Sequence, residues 1–346
     1  MRRIVRIVIL LLSILIVITG SALIYLIYPG TPSRSHSMTF DGYIDLPKGG
    51  ALSVLDYLTI ENHALFVTEE SSGTVFKVNL NPTTQMADGT VARLPGTGSV
   101  HGVLLPPGEN IAFVTRSEEN TVDVFDPTNL ERLQSIPVAD DADAIVYDPS
   151  NRLVYVANGD AHLATLIDPN KRTIAGTISL PGKPEYPASD SETGLLYQNL
   201  TDISAVIAIN LAQKSIAGQW SLAPCEGPTG MAIDSDQRRL FAVCSRNAML
   251  VVFDLERHKV IASMNIGGGP DSVAFDAGLH RIYSAGRAGK LTVVQQDGPD
   301  AYRTLDLIRT HYGAHTLVLD PLSHKVFVGY ASLFNHPRIA VFSPDL

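Results

Sequence analysis

Val154-Tyr155-Val156-Ala157-Asn158 is an apolar run of four residues closed by an amide. It is too short for a helix, and it carries the β-branched and aromatic residues that suit a strand buried on both faces. Its kernel, an aromatic beside apolar neighbours, returns as Leu65-Phe66-Val67, Ala112-Phe113-Val114, Leu196-Tyr197, Leu240-Phe241-Ala242, Ile282-Tyr283-Ser284 and Val326-Phe327-Val328. Successive aromatics stand 47, 42, 42, 44, 42 and 44 residues apart. A period of this length marks an array of supersecondary units, none of which buries its apolar surface alone.

Other parts recur in phase with the aromatic. Seven residues before it stands Asp148, Asp190, Asp234, Asp276 or Asp320, replaced by Thr59 and Pro106 in the first two copies. Thirteen residues after it stands Asn79, Asp126, Asp168, Asn210, Asp254 or Gln296. Short acids and amides fold back onto the backbone of tight turns, so these mark strand ends and are not catalytic acids. Working outward in the third copy, strands are predicted over 144–147, 153–157, 162–167 and 173–179. Four antiparallel strands in some 40–45 residues make one blade, and seven copies predict an all-β, seven-bladed β-propeller. The seventh copy stops after a third strand over 338–342, while Gly42-Tyr43-Ile44-Asp45-Leu46-Pro47 resembles the fourth strands at 176–181 and 219–223. The N-terminal strand is therefore expected to complete the last blade and close the ring, which removes free sheet edges.

Residues 1–30 read differently. Positions 7–28 carry no charge, and a helix of that length spans about 33 Å, close to a bilayer's hydrocarbon thickness. Arg2, Arg3 and Arg6 precede this span, Tyr25 and Tyr28 end it, and Pro29-Gly30 stops it. The basic cluster predicts a single-pass anchor with its N-terminus cytoplasmic and the propeller on the periplasmic or extracellular side. A cleaved signal peptide is the alternative, but its apolar region is about 7–15 residues long. Residues 31–37 read as a linker and 38–346 as the propeller.

The whole chain carries a formal charge of −9, and without the three leading arginines it holds 23 basic against 35 acidic side chains. This balance counts against nucleic acid as a partner, and Trp220, the one tryptophan, makes no base-stacking platform. There is no P-loop, dinucleotide fingerprint, nucleophile elbow or Cys-x-x-Cys-His haem motif.

Val154-Tyr155-Val156-Ala157-Asn158 is similar to the tyrosine-valine-threonine-asparagine signature of the YVTN-type propellers, which include YncE-like periplasmic proteins. Looser copies are Leu65-Phe66-Val67-Thr68-Glu69 and Ala112-Phe113-Val114-Thr115-Arg116. The resemblance covers about residues 40–346 and implies the fold. Propellers of this type serve as scaffolds, binders, lactonases and lyases, so it implies little about activity.

In a propeller the first strand of each blade lines the central channel. Twelve residues before each repeat aromatic come Val54, His101, Asp143, Glu185, Thr229, Asp271 and His315. This ring of imidazoles and carboxylates is the expected ligand site, for a protein, glycan or small molecule. Cations are favoured, because carboxylates crowded at a narrow mouth repel one another. His101-Gly102-Val103 also fits the last three residues of a Pro-His-Gly-Val motif common in similar propellers, which implies a structural part for the histidine. Imidazole with carboxylate suits a divalent metal, and His101, His315, Asp143 and Asp271 are its candidate ligands. A histidine–carboxylate acid–base pair in a hydrolase or lyase is the competing possibility, and streptogramin lyases resemble it in fold and channel histidine. The seventh copy carries extra residues within 330–337, among them Tyr330, Phe334 and His336, expected as a lid or contact loop on the same rim. Cys225 and Cys244 both fall in the fifth copy, where a disulfide is possible outside the cytoplasm.

Overall fold

The computed structural model describes residues 31–47, 52–330, 332–333 and 337–345. The expected helix over 7–28 lies outside them; among the described residues no helix is long and apolar enough to cross a membrane.

The described strands form seven four-stranded antiparallel sheets and one two-stranded ribbon. The third blade runs Ala142–Asp148, Leu153–Asn158, Leu163–Asp168 and Thr173–Ser179, each within two residues of expectation. The innermost strands are Leu55–Glu61, Val100–Leu104, Ala142–Asp148, Pro184–Asp190, Pro228–Asp234, Pro270–Asp276 and Thr316–Leu319. Each lies beside the innermost strand of the next blade, and the last lies beside the first. The molecule is a closed seven-bladed propeller.

Its core is divided rather than central. Seven clusters of buried side chains each fill the gap between two neighbouring blades. Successive side chains of a strand point to opposite faces, so Val154 and Val156 pack toward blade two while Tyr155 and Ala157 pack toward blade four. Both faces are buried, and this is why the repeat kernel is apolar throughout instead of alternating. The turn acids tie blades together at the opposite end of the innermost strands. Asp148 accepts from Ser189 Oγ at 2.9 Å, Asp190 from Arg238 Nη1 at 2.8 Å, Asp234 from Gln296 Nε2 at 2.9 Å and Asp276 from His324 Nδ1 at 2.9 Å.

The chain closes its ring with Met38–Asp45, which pairs antiparallel with Arg338–Pro344 and is the outermost strand of blade seven. It starts four residues before the expected stretch. Met38 joins the core between blades six and seven, and Ile44 joins the core between blades seven and one. Residues 33–37, expected as linker, are bonded to the outer strand of blade six: Ser33 N donates to Arg309 O at 2.9 Å and Ser35 Oγ to Asp306 at 2.6 Å.

Candidate functional site

Six blades begin with one shared device. Leu55 pairs with Glu69, Val100 with Arg116, Ala142 with Asn158, Pro184 with Leu200, Pro228 with Cys244 and Pro270 with Gly286, and each register slips just afterwards. A bulge re-aims the side chain that follows. Those side chains are Asp56, His101, Asp143, Glu185, Thr229 and Asp271, and with His315 they line one cavity of about 500 Å³ at the channel mouth.

The expected ring therefore converges, with one correction: the first blade contributes Asp56, not Val54. Its hairpin turns in two residues, Asn62 and His63, both at positive φ as a type I′ turn requires. The third blade needs four residues between Asp148 and Leu153. Counting back twelve residues from Phe66 therefore overshoots by two.

A second ring escaped the sequence argument. Glu70, Ser117, Ser245 and Arg287 each stand four residues after a repeat aromatic, where the second strand ends. Glu70, Ser245 and Arg287 line the cavity, and Ser117 Oγ lies 2.9 Å from His101 Nε2. The same count applied forward from the aromatics finds them. Asp141 and Lys183 come from the loops between blades.

Below the mouth, the rings of Tyr57 and Tyr186 reach from blades one and four to 5.2 Å between centroids. Beyond them lies a mostly apolar cavity of about 300 Å³ lined by residues such as Met231, Phe275 and Leu317. Burial, with the charges of Asp143 and Asp56 behind it, holds the Tyr57 hydroxyl well above its usual pKa, so it stays neutral.

Two histidines in the mouth are held differently. His101 Nδ1 donates to Asp56 Oδ2 at 2.5 Å, with Asp143 Oδ1 3.6 Å away. Burial disfavours the imidazolium, but the Asp56 hydrogen bond and the charges of Asp56, Asp143 and Glu70 outweigh it and raise the pKa to about 10. His101 is thus a cation at neutral pH. His315 is 2% exposed, and its Nδ1 donates to Gly313 O at 2.7 Å, since a carbonyl only accepts. That leaves its Nε2 facing Asp271 Oδ2 at 3.7 Å, while Arg287 Nη2 donates to the same oxygen at 2.9 Å.

Carboxylates outnumber cations here. Asp56, Glu70, Asp141, Asp143, Glu185 and Asp271 face Lys183, Arg287 and the His101 imidazolium. Burial, reinforced by Asp56, Asp141 and Asp271 against relief from His101, pushes Asp143 up to about 7. Burial, then Asp143 and Asp271, hold Glu185 well above the usual carboxylate range. Asp56, His101 and Asp143 bring one possible metal-donor atom each to within 4.8 Å of one another. Of the four candidate ligands, His101 and Asp143 stand together with Asp56 beside them, while His315 and Asp271 face each other.

Tyr330 is not a rim residue. It ends the buried strand Val326–Tyr330, is 1% exposed, and packs in the core between blades six and seven, because the inserted residues begin only after it. Phe334 and His336 lie outside the described residues. The backbone of Ser332–Leu333 pairs with Leu52–Ser53, linking this loop to the start of blade one. The loop before Thr229 folds back to place Cys225 against Cys244 in a disulfide, with Cα atoms 5.4 Å apart.

No protein-family model matches the chain, and no curated protein does. Solved structures do. One titled Kuenenia stuttgartiensis hydrazine synthase is similar with a TM-score of 0.71 and 16% identity, over 81% of this chain and 94% of that one. The likeness is one of fold.

Proposed function

We propose that this chain is a YVTN-type propeller, anchored by residues 7–28 with its body outside the cytoplasm, that serves as a binding or scaffold module and takes a cationic ligand at the channel mouth. The excess of carboxylates over cations around one cavity carries this proposal. Like charges crowded where water is partly excluded repel one another, the upward shifts of Asp143 and Glu185 register that repulsion together with burial, and an incoming cation relieves it. The uncharged 22-residue span supports the anchor. The Cys225–Cys244 pairing supports an oxidising compartment.

A hydrolase or lyase is the second reading, favoured by the placement of the Asp143 carboxyl 3.6 Å from His101 Nδ1 at the cavity wall. The Asp143 carboxyl, pushed up to about 7, has the affinity for protons that a general acid or base needs. His101 suits the base role poorly, because it is already protonated.

Calorimetric titration of the full-length protein with spermidine and with citrate tests the binding proposal. Spermidine should bind and citrate should not, and Glu185→Gln with Asp271→Asn should weaken spermidine binding at least tenfold. Citrate binding with no spermidine binding would refute it. Recovery of the full chain from the membrane fraction with Met1 intact tests the anchor, whereas a mature N-terminus near Ser21 would mean a signal peptide.

A further inference from the structure

We infer that the mouth holds a divalent transition-metal ion between Asp56 Oδ2, His101 Nδ1 and Asp143 Oδ1, one donor from each of the first three blades. The inference rests on the cation-binding proposal above and names the ion's chemistry and its ligands.

Geometry singles out this trio. Six carboxylates line the cavity, yet among the described residues only Asp56, His101 and Asp143 bring three donors of His, Cys, Asp or Glu within 4.8 Å of one another. Each is the side chain that a blade's first bulge turns into the channel, so three backbones fix their relative placement. A strut between blades would need one carboxylate on His101. Here Asp56 already bonds Nδ1 at 2.5 Å, and Asp143 stands 3.6 Å from the same nitrogen.

The surroundings suit a ligating imidazole. His101 Nε2 lies 2.9 Å from Ser117 Oγ, and such a bond from the far nitrogen fixes the tautomer and ring orientation of metal-bound histidines. When the ion enters, Nδ1 releases the proton it now shares with Asp56 to solvent, and Nε2–H remains on Ser117. The side chains of Asp56, His101 and Asp143 are 14%, 15% and 20% exposed, opening onto the 500 Å³ cavity. Coordination positions are thus left for water or a ligand. One imidazole with two carboxylates and open positions suits zinc, manganese or cobalt, whereas calcium asks for six to eight oxygens.

The test is a titration of the full-length, chelator-treated protein with Co²⁺, followed by its visible absorption and by displacement with Zn²⁺. One equivalent should develop bands that Zn²⁺ abolishes. His101→Gln and Asp143→Asn should each weaken binding at least tenfold, and Ser117→Ala, which leaves all three donors in place, by about tenfold. If His101→Gln does not fold, the other two variants decide. No spectral change at one equivalent, or binding undiminished in all the folded variants, overturns the inference. A parallel spermidine titration in EDTA separates the two proposals: spermidine binding without Co²⁺ binding removes the metal and leaves the cation site, and failure of both removes both.

Discussion

Asp143 is the side chain on which the mouth's electrostatics can be read most directly. Its folded-state carboxyl titrates near 7 instead of near 3.8, so between those values the native state holds a proton that the unfolded chain has lost. Stability attributable to this residue therefore falls as pH rises from about 4 to about 7 and is level above. Asp143→Asn removes the penalty. The variant should match the parent near pH 3.5, gain on it through that window, and keep a higher midpoint at pH 8. A chain of this size gains ~2 °C per kcal/mol, so a rise of several degrees in thermal melts at pH 8 is expected. His101 gives a second signature of the same field. Its raised pKa means that its contribution is complete below about 6.5 and fades as pH approaches 10, so the cost of His101→Gln should shrink over that range. A difference from the parent that does not change with pH in either variant would mean that the mouth is well solvated.

At the scale of elements, Met38–Asp45 closes the ring, and this one strand, far in sequence from the rest of its blade, reaches two of the seven cores. Deleting residues 38–47 should expose the edge of Arg338–Pro344 and drive aggregation even though every repeat aromatic remains, as native light scattering would show. A truncated chain that stays monomeric with an unchanged melt would contradict this. The Cys225–Cys244 bridge closes a short loop, a constraint worth about 3 kcal/mol in the chain-entropy account. Intact mass without reductant should show the loss of two hydrogens, and reduction should lower the melting midpoint. Elements also decide what could be read from the sequence. Seven apolar kernels with turn acids in phase made the blades and their closure legible, because burial on both faces and turn chemistry act locally. Asp56 stayed hidden because a two-residue turn shortens the first hairpin, and length alone does not show which turn forms. Tyr330 was misplaced for a related reason: an insertion is visible as a number of residues, but where it leaves the strand depends on pairing. The association of Asp56 with His101 and Asp143 depends on three bulges at once, and no local pattern reveals that.

The whole molecule turns a repeated, structurally ordinary position into one unusual place. Seven interfaces carry the stability, so the residues facing the channel need not, and side chains far apart in sequence meet there with unbalanced negative charge. Titratable side chains are thereby concentrated at the axis while the outer strands remain largely exposed. The central claim is that this mouth is the molecule's cation site. A crystal of the protein soaked in hexaamminecobalt(III), which binds through charge and hydrogen bonds and scatters anomalously, tests it most directly. The strongest anomalous peak should lie in the mouth, within hydrogen-bonding distance of Asp56, Asp143 or Glu185; peaks confined to the outer surface, or an anion resting on Arg287 and His315 in the same cavity, would contradict it.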